Sequence, residues 1–344
     1  MTTSPKTLHV ELGNTGPVDG RTDVTRIREL WEEVHARLRE EATRVAPWSG
    51  SEQGFLIRVD ASDVLDFFRA IETCEVDSSL LDDRFTHRRS LGRHMLGSHL
   101  TVYIDEVPGS GIPAEGYAAV GKFLQHMFLS LNITLPGSFS LGLSRYLEHE
   151  DALPSPPRLY AGDLETATTL ASDRGWPPIA RLDFDRTWSW ITHGLPYETE
   201  VAGTAAQRAL LSLLRIADPN RFEVDVILLV AQVLEAFFSD GREGIVSVLK
   251  QRLELVLGRP ETHGRWFTKF YALRSRIAHG AMPVMRPGSF YQDDDPEVLN
   301  YRDSVLTPVD EAVAVLVALL QDLATHGSYE YVFVQEVLRP PATS

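Results

Sequence analysis

The sequence predicts an α+β protein in which a mixed α/β region precedes a helical bundle. Short alternating apolar segments, which predict strands, lie mostly before residue 185, whereas the apolar pattern after it is helical. The 344 residues include 20 prolines and 24 glycines, which indicates many turns, and 43% are hydrophobic, enough for one large or two modest cores. We therefore predict two domains, 1–184 and 185–344.

The first region predicts helices interleaved with short strands. Residues 1–20 are polar and contain three glycines, so an irregular start is expected. Apolar residues at helical spacing predict helices, and runs of alternating apolar residues predict strands. The predicted elements are, in order, helix 24–45, strand 55–59, a helix from Ser62 through Ile71, strand 100–104, helix 114–131, and strands 139–147 and 179–184.

The second region predicts an antiparallel bundle of four main helices preceded by one more. Thr204 is a suitable cap for the first of these helices, and Pro308 lies where the first position of the last one is expected. Residues 280–306 are too many for a bundle connection, so that segment is expected to be functional or mobile. The predicted elements are helices 204–216, 224–238, 243–257, 265–279 and 307–324, and a closing strand at 329–334.

Composition narrows the classes of partner and the cellular compartment. The net charge of −15 repels nucleic acid, so a phosphate polymer needs a local positive patch. Cys74 is the only cysteine, which excludes an intramolecular disulfide and a cysteine-built zinc site. Residues 1–20 carry no apolar run of signal-peptide length, and no later run reaches the length of a membrane span. These features predict a cytoplasmic protein with no membrane partner.

A local positive patch is present between residues 250 and 286. This stretch holds eight basic and two acidic side chains, and such a field is what a phosphodiester requires. The four cations nearest the motif described next are predicted RNA contacts: Arg265, Lys269, Arg276 and Arg286. The alternative is that these residues only form the solvated faces of helices.

The patch surrounds a helix that ends in an arginine, a histidine and a glycine. Gly280 is placed for the left-handed position that ends many helices, and Pro283 prevents the helix from resuming. Arg274 and His279 are five residues apart, which separates them by about 140° around an ideal helix. They can therefore converge only if the last turn unwinds or if a second copy of the helix supplies the missing half.

Arg-x4-His-Gly after an aromatic-rich helix resembles the HEPN superfamily, and the string 271–280 resembles its ApeA-like branch. The segment 234–238, with Glu235, lies one helical hairpin upstream, as in that branch. The resemblance extends over about 185–327. Ser275 departs from the pattern, since active relatives often carry Asn, Asp or His beside the arginine. In the N-terminal part, Leu131-Asn132 and Pro136-Gly137 resemble proteins that carry such a domain.

The resemblance implies a metal-independent endoribonuclease, and hence a hydrolase-type nuclease, in a bacterial anti-phage defence or toxin-like system. His279 would move protons at the ribose 2′-hydroxyl or the leaving oxygen, and Arg274 would stabilise the phosphorane. The products would be a 2′,3′-cyclic phosphate and a 5′-hydroxyl. The implied partners are RNA, either tRNA or mRNA, a second copy of the chain in a homodimer, and a cognate regulator. The N-terminal domain would be a sensor or regulatory part.

A structural interpretation of the same residues is also open. Arg274 would then pair with Glu235 as a buried ion pair, and His279 would bind carbonyls at the helix end. Tyr271 lies on the face of Arg274 and would either stack on a base or pack in the core. With this alternative the domain is a catalytically inactive scaffold that binds RNA or protein, or that dimerises.

No metal or cofactor site is predicted. His87, His94 and His99 are spaced by seven and five residues, which matches no common zinc pattern. The sequence carries no phosphate-binding loop, dinucleotide fingerprint or nucleophile elbow.

Overall fold

The computed structural model describes residues 5–12, 24–51, 54–73, 98–105, 107, 111–142, 144–147, 155–239, 245–260, 265–283 and 295–334. The strands are β1 (Lys6–Glu11), β2 (Thr43–Val45), β3 (Phe55–Asp60), β4 (His99–Asp105) and β5 (Arg145–Tyr146). The helices are α1 (Val24–Glu40), α2 (Ser62–Thr73), α3 (Ala114–Thr134), α4 (Gly162–Arg174), α5 (Phe184–Gly194), α6 (Ala205–Ile216), α7 (Glu223–Phe238), α8 (Ile245–Leu257), α9 (Trp266–Ala278), α10 (Pro296–Tyr301) and α11 (Thr307–His326).

The five strands form one antiparallel sheet in the order β2-β3-β4-β1-β5. The central pair places Leu8 opposite Val102, and the next pair places Ile57 opposite Ile104. These four side chains are fully buried while their chain neighbours are partly exposed, so one face of the sheet carries the core. Helices α1, α2 and α3 pack against the strands. The predicted mixed α/β class is confirmed at this level.

Four local predictions in this part are wrong, and one helix was missed. β1 lies where an irregular start was expected, and α1 ends at Glu40 so that β2 can form. Only Arg145–Tyr146 of the predicted strand 139–147 pairs, and α4 was not predicted. Residues 179–184 form no strand, since Gln321 holds both backbone groups of Ala180. Asp183 accepts a hydrogen bond from the Arg186 backbone at 2.8 Å and caps α5.

The predicted C-terminal helices are present within a few residues of their expected ends. Thr204 and Gln207 form a capping box at the start of α6. A π-helical turn, Arg302–Leu306, runs directly into α11, so Pro308 is the second residue of that helix instead of the first. Residues 329–334 form no strand, and Tyr331 packs instead on the rings of Phe237 and Phe238. That these helices form a HEPN-like bundle stays a prediction.

The hydrophobic core is continuous across residue 184. Helix α11 packs on α4 as well as on α7, and the buried apolar residues of both parts belong to one cluster. Gln321 on α11 donates hydrogen bonds to the carbonyls of Ile133 and Ala180, at 2.8 and 2.7 Å, and accepts one from the Ala180 backbone at 3.0 Å. The division into two domains stays a prediction. Across the described ranges, no helix has the length and apolar character that a membrane crossing needs.

Candidate functional site

Helix α9 carries the predicted catalytic motif and exposes its C-terminal end. Trp266, Phe270 and Leu273 are buried, and the helix packs chiefly on α7. The His279 backbone amide bonds to the Ser275 carbonyl at 3.0 Å, and Gly280 has φ of 67°. A left-handed residue at this position explains why the chain uses glycine here and why the helix ends.

Arg274 leaves α9 on the side that faces α7 and forms an ion pair with Glu235. The Nη2–Oε1 distance is 3.5 Å, and the two side chains are 41% and 32% exposed. The predicted partner is therefore correct, but solvent reaches both groups, unlike in a buried ion pair. Such partly exposed pairs contribute only about 0–1 kcal/mol to stability, so Glu235 orients Arg274 without sequestering it.

Tyr271 packs between aromatic rings beside this ion pair. Its ring lies 4.8 Å from that of Phe267 and 5.4 Å from that of Phe270. Its hydroxyl is buried and has no hydrogen-bond partner in the described structure. Burial, followed by the negative charge of Glu235, raises the pKa of the phenol, and Arg274 opposes this shift. The contacts favour the packing role for Tyr271 over base stacking.

A single chain does not bring Arg274 and His279 onto one face. His279 and Ser275 are exposed at the end of α9, and helical geometry places the imidazole about 140° away from the arginine. His279 follows Arg276 by three residues and Ala272 by seven, so it shares a face with those two residues instead. The last turn stays helical up to Ala278, so unwinding does not supply the convergence.

A cleft of about 840 Å³ lies on that other side of α9. It separates α9 from the π-helical turn and α11, and the C-terminal end of α4 also reaches it. Its floor is apolar, with Trp266, Phe270 and Leu273. The lining residues that carry charge are Arg174, Arg265, Lys269, Arg276, Asp303 and Glu311.

Three of the four predicted RNA contacts therefore share one cleft. Arg265, Lys269 and Arg276 are all exposed, and within the described ranges none of them forms an ion pair. Arg286 lies outside the described residues. Arg174 also lines the cleft but is paired with Glu311. Sequence reasoning missed Arg174 because it belongs to α4, the helix that was not predicted.

A second group of charges lies beside the cleft, where α4 meets α11. Arg174 pairs with Glu311 and Arg221 pairs with Asp163. Half-buried Asp310 lies near both arginines, yet burial outweighs their attraction and raises the pKa of its carboxyl from 3.8 to about 6. The two ion pairs join residues that are 137 and 58 positions apart in the sequence, so no local motif could have indicated them.

Comparisons with protein-family models, with characterised proteins and with solved structures find no match for this chain. The HEPN resemblance therefore rests on the residues quoted above and stays a prediction.

The structure provides no grouping that suggests a metal centre in the residues it describes. No set of three or more His, Cys, Asp or Glu is placed to hold an ion there. His99 pairs with Asp63 at 3.1 Å and packs edge-on against His9. His87 and His94 lie outside the described residues.

Proposed function

We propose that this protein is a metal-independent endoribonuclease of the HEPN type that acts as a homodimer in a bacterial defence or toxin-like system. The observation that carries the proposal is the open end of α9. There Arg274 is oriented but still accessible, His279 is exposed, and unpaired cations lie on the adjoining face. This combination suits a phosphodiester better than it suits a structural helix end.

The proposed reaction uses only proton transfer and charge stabilisation. His279 removes the proton of the ribose 2′-hydroxyl, and the 2′-oxygen attacks the adjacent phosphorus. Arg274 donates hydrogen bonds to the two nonbridging oxygens as negative charge develops on them. The bond to the 5′-oxygen breaks, and that oxygen takes a proton from the His279 of the second protomer. A 2′,3′-cyclic phosphate and a 5′-hydroxyl result.

The homodimer is required because one chain keeps the two groups apart. Helix α9 offers a surface for a second copy: Thr268, Ala272 and Ser275 are exposed at helical spacing, in line with His279. Small side chains let two helices approach closely, because the distance between helix axes depends on the residues at the contact. The proposed contact along this stripe has two-fold symmetry and supplies the second His279 that the reaction uses.

The test is cleavage of a labelled RNA transcript and of total RNA by the purified protein in EDTA. His279→Ala and Arg274→Ala should each lower the rate about 100-fold or more, the usual contribution of such groups. The new 5′ ends should accept phosphate from a kinase, and the new 3′ ends should not act as ligation acceptors until the cyclic phosphate is opened and the phosphate is removed.

A matched control is His326→Ala, which removes another exposed histidine at the end of a helix. Its side chain is 68% exposed, and among the described residues it pairs only with Asp322 on its own helix. This variant should cleave like the wild type. Cleavage by His279→Ala at the wild-type rate would show that the activity comes from elsewhere or from a contaminant. Sedimentation should give a dimer, and Ala272→Arg should convert it to a monomer without activity.

A catalytically inactive scaffold is the second candidate, and the Arg274–Glu235 ion pair favours it. That pair keeps the guanidinium occupied and directed toward α7, on a face different from that of His279. A scaffold would dimerise and bind RNA or protein with no cleavage, and Arg274→Ala would then change stability slightly and leave RNA unaltered.

A further inference from the structure

We propose that Glu235 exchanges partners: the hydroxyl of Tyr271 donates a hydrogen bond to its carboxylate when Arg274 turns away to bind phosphate. Tyr271 is then a positioning residue, which acts through Glu235 and Arg274 and does not touch the RNA. The exchange itself is independent of catalysis, whereas its effect on cleavage rests on the proposed nuclease function.

The Tyr271 hydroxyl is a polar group that packing alone does not explain. It is buried and has no hydrogen-bond partner among the described residues. The ring packs on Phe267 and Phe270, and a phenylalanine would make the same ring contacts without burying an unpaired oxygen. Because an unpaired buried hydroxyl costs free energy, we expect the group to have a partner in some state of the protein.

The partner that we infer lies across the contact between α9 and α7. Tyr271 precedes Arg274 by three residues, so the two side chains leave α9 on the same face, and there Arg274 reaches Glu235 of α7. Burial has the largest effect on the pKa of the phenol and raises it, the negative charge of Glu235 raises it further, and Arg274 lowers it. The hydroxyl, the carboxylate and the guanidinium therefore form one interacting group.

The Glu235 carboxylate can accept another donor. Its Oε1 lies 3.5 Å from Nη2 of Arg274, which is longer than the about 2.7–2.9 Å of a charge-assisted hydrogen bond. A carboxylate accepts several hydrogen bonds at once. The Glu235 side chain is also 32% exposed, so it has room to turn toward the Tyr271 hydroxyl.

The exchange of partners makes Arg274 easier to release. When a phosphate takes the guanidinium, Glu235 loses its counterion, and its attraction for Arg274 opposes the release. A hydrogen bond from the Tyr271 hydroxyl stabilises the carboxylate in that state and removes the cost of the unpaired hydroxyl. This bond is absent in the free protein and present once Arg274 binds the phosphorane, and an interaction of that kind raises the rate of the chemical step.

The first experiment needs no RNA and measures thermal unfolding of the full chain. Arg274→Ala stands in for the state in which Arg274 has left Glu235. Tyr271→Phe alone should leave the melting temperature unchanged or raise it, because the hydroxyl that it removes has no partner. Added to Arg274→Ala, it should lower the melting temperature by a few degrees, because it then removes a hydrogen bond to a charged group. Added to Arg274→Ala together with Glu235→Ala, it should lower nothing, because no carboxylate is left.

The second experiment measures cleavage in a single turnover at saturating RNA. Tyr271→Phe should lower the rate by roughly tenfold, which corresponds to the loss of one hydrogen bond to a charged group. In Glu235→Ala the same substitution should change the rate by less than about twofold, whereas a role in packing alone gives the same factor in both backgrounds. The matched control Tyr103→Phe removes the hydroxyl of a half-buried tyrosine on β4 and should cleave like the wild type.

The outcomes separate the exchange of partners from the nuclease function. Equal effects of Tyr271→Phe on the melting temperature in the wild type and in Arg274→Ala overturn the exchange. Cleavage by Tyr271→Phe at the wild-type rate also overturns it, and the nuclease function then stands. A wild-type protein that cleaves no RNA overturns the nuclease function alone, and a lower melting temperature confined to the Arg274→Ala background still supports the exchange.

Discussion

Asp310 should make the stability of the folded protein depend on pH, and Asp310→Asn should remove that dependence. The carboxyl lies half-buried at the start of α11, and burial raises its pKa from 3.8 to about 6. A carboxyl whose pKa is higher in the folded state stabilises the fold when the pH is below its pKa in the unfolded state. This contribution is lost as the pH rises through its pKa in the folded state. Asp310 should therefore favour folding near pH 4 and lose that effect by pH 7.

The size of the effect follows from the shift. A change of about two units corresponds to on the order of 3 kcal/mol between the two limits. Between pH 7.5 and pH 5.0 only part of the titration occurs, so the wild type should gain about 1.4 kcal/mol relative to Asp310→Asn. The substitution leaves neither arginine without an ion-pair partner, because Arg174 still pairs with Glu311 and Arg221 with Asp163.

The assay is urea unfolding of both proteins at several pH values, with the free energy of unfolding compared at each. At pH 7.5 the free energy of unfolding of Asp310→Asn should exceed that of the wild type, and this difference should shrink steadily toward pH 5.0. Glu330→Gln, at an exposed position in the C-terminal segment, reports the effect of removing one negative charge in general. A difference between Asp310→Asn and wild type that stays constant across this range would refute the reasoning.

Two further predictions concern buried amides. Asn132 donates hydrogen bonds to the carbonyls of Phe128 and Phe139, at 2.9 and 2.8 Å, and accepts one from the Gly137 backbone. Asn132→Leu leaves these groups unpaired, so it should lower the free energy of unfolding by about 3 kcal/mol in urea titrations. Gln321→Leu should cost a similar amount, on the order of 2–4 kcal/mol, in one cooperative transition seen by both fluorescence and circular dichroism. The control Gln232→Leu, at an exposed position of α7, should change the free energy of unfolding by less than about 0.5 kcal/mol. A wild-type midpoint for Asn132→Leu, or two separate transitions for Gln321→Leu, would contradict these expectations.

The C-terminal helices could be predicted because their signals are local. A long apolar stripe, Thr204 as a cap and glycines at positions 280 and 327 each act within a few residues. Prediction failed where a distant residue decides the conformation. Residues 179–184 have an alternating pattern typical of a strand, but Gln321 occupies the backbone groups of Ala180, so no neighbouring strand pairs with them.

The sequence by itself determined that α9 ends at His279 and Gly280 and that an excess of basic residues surrounds this end. Only the tertiary structure decided which of those residues act together. It directs Arg274 to Glu235 on α7, and it places Lys269 and Arg276 across a cleft from Asp303. The physical reason is that helical periodicity fixes the face of a residue on its own helix, whereas the charge opposite that face comes from whichever distant segment the shared core packs there.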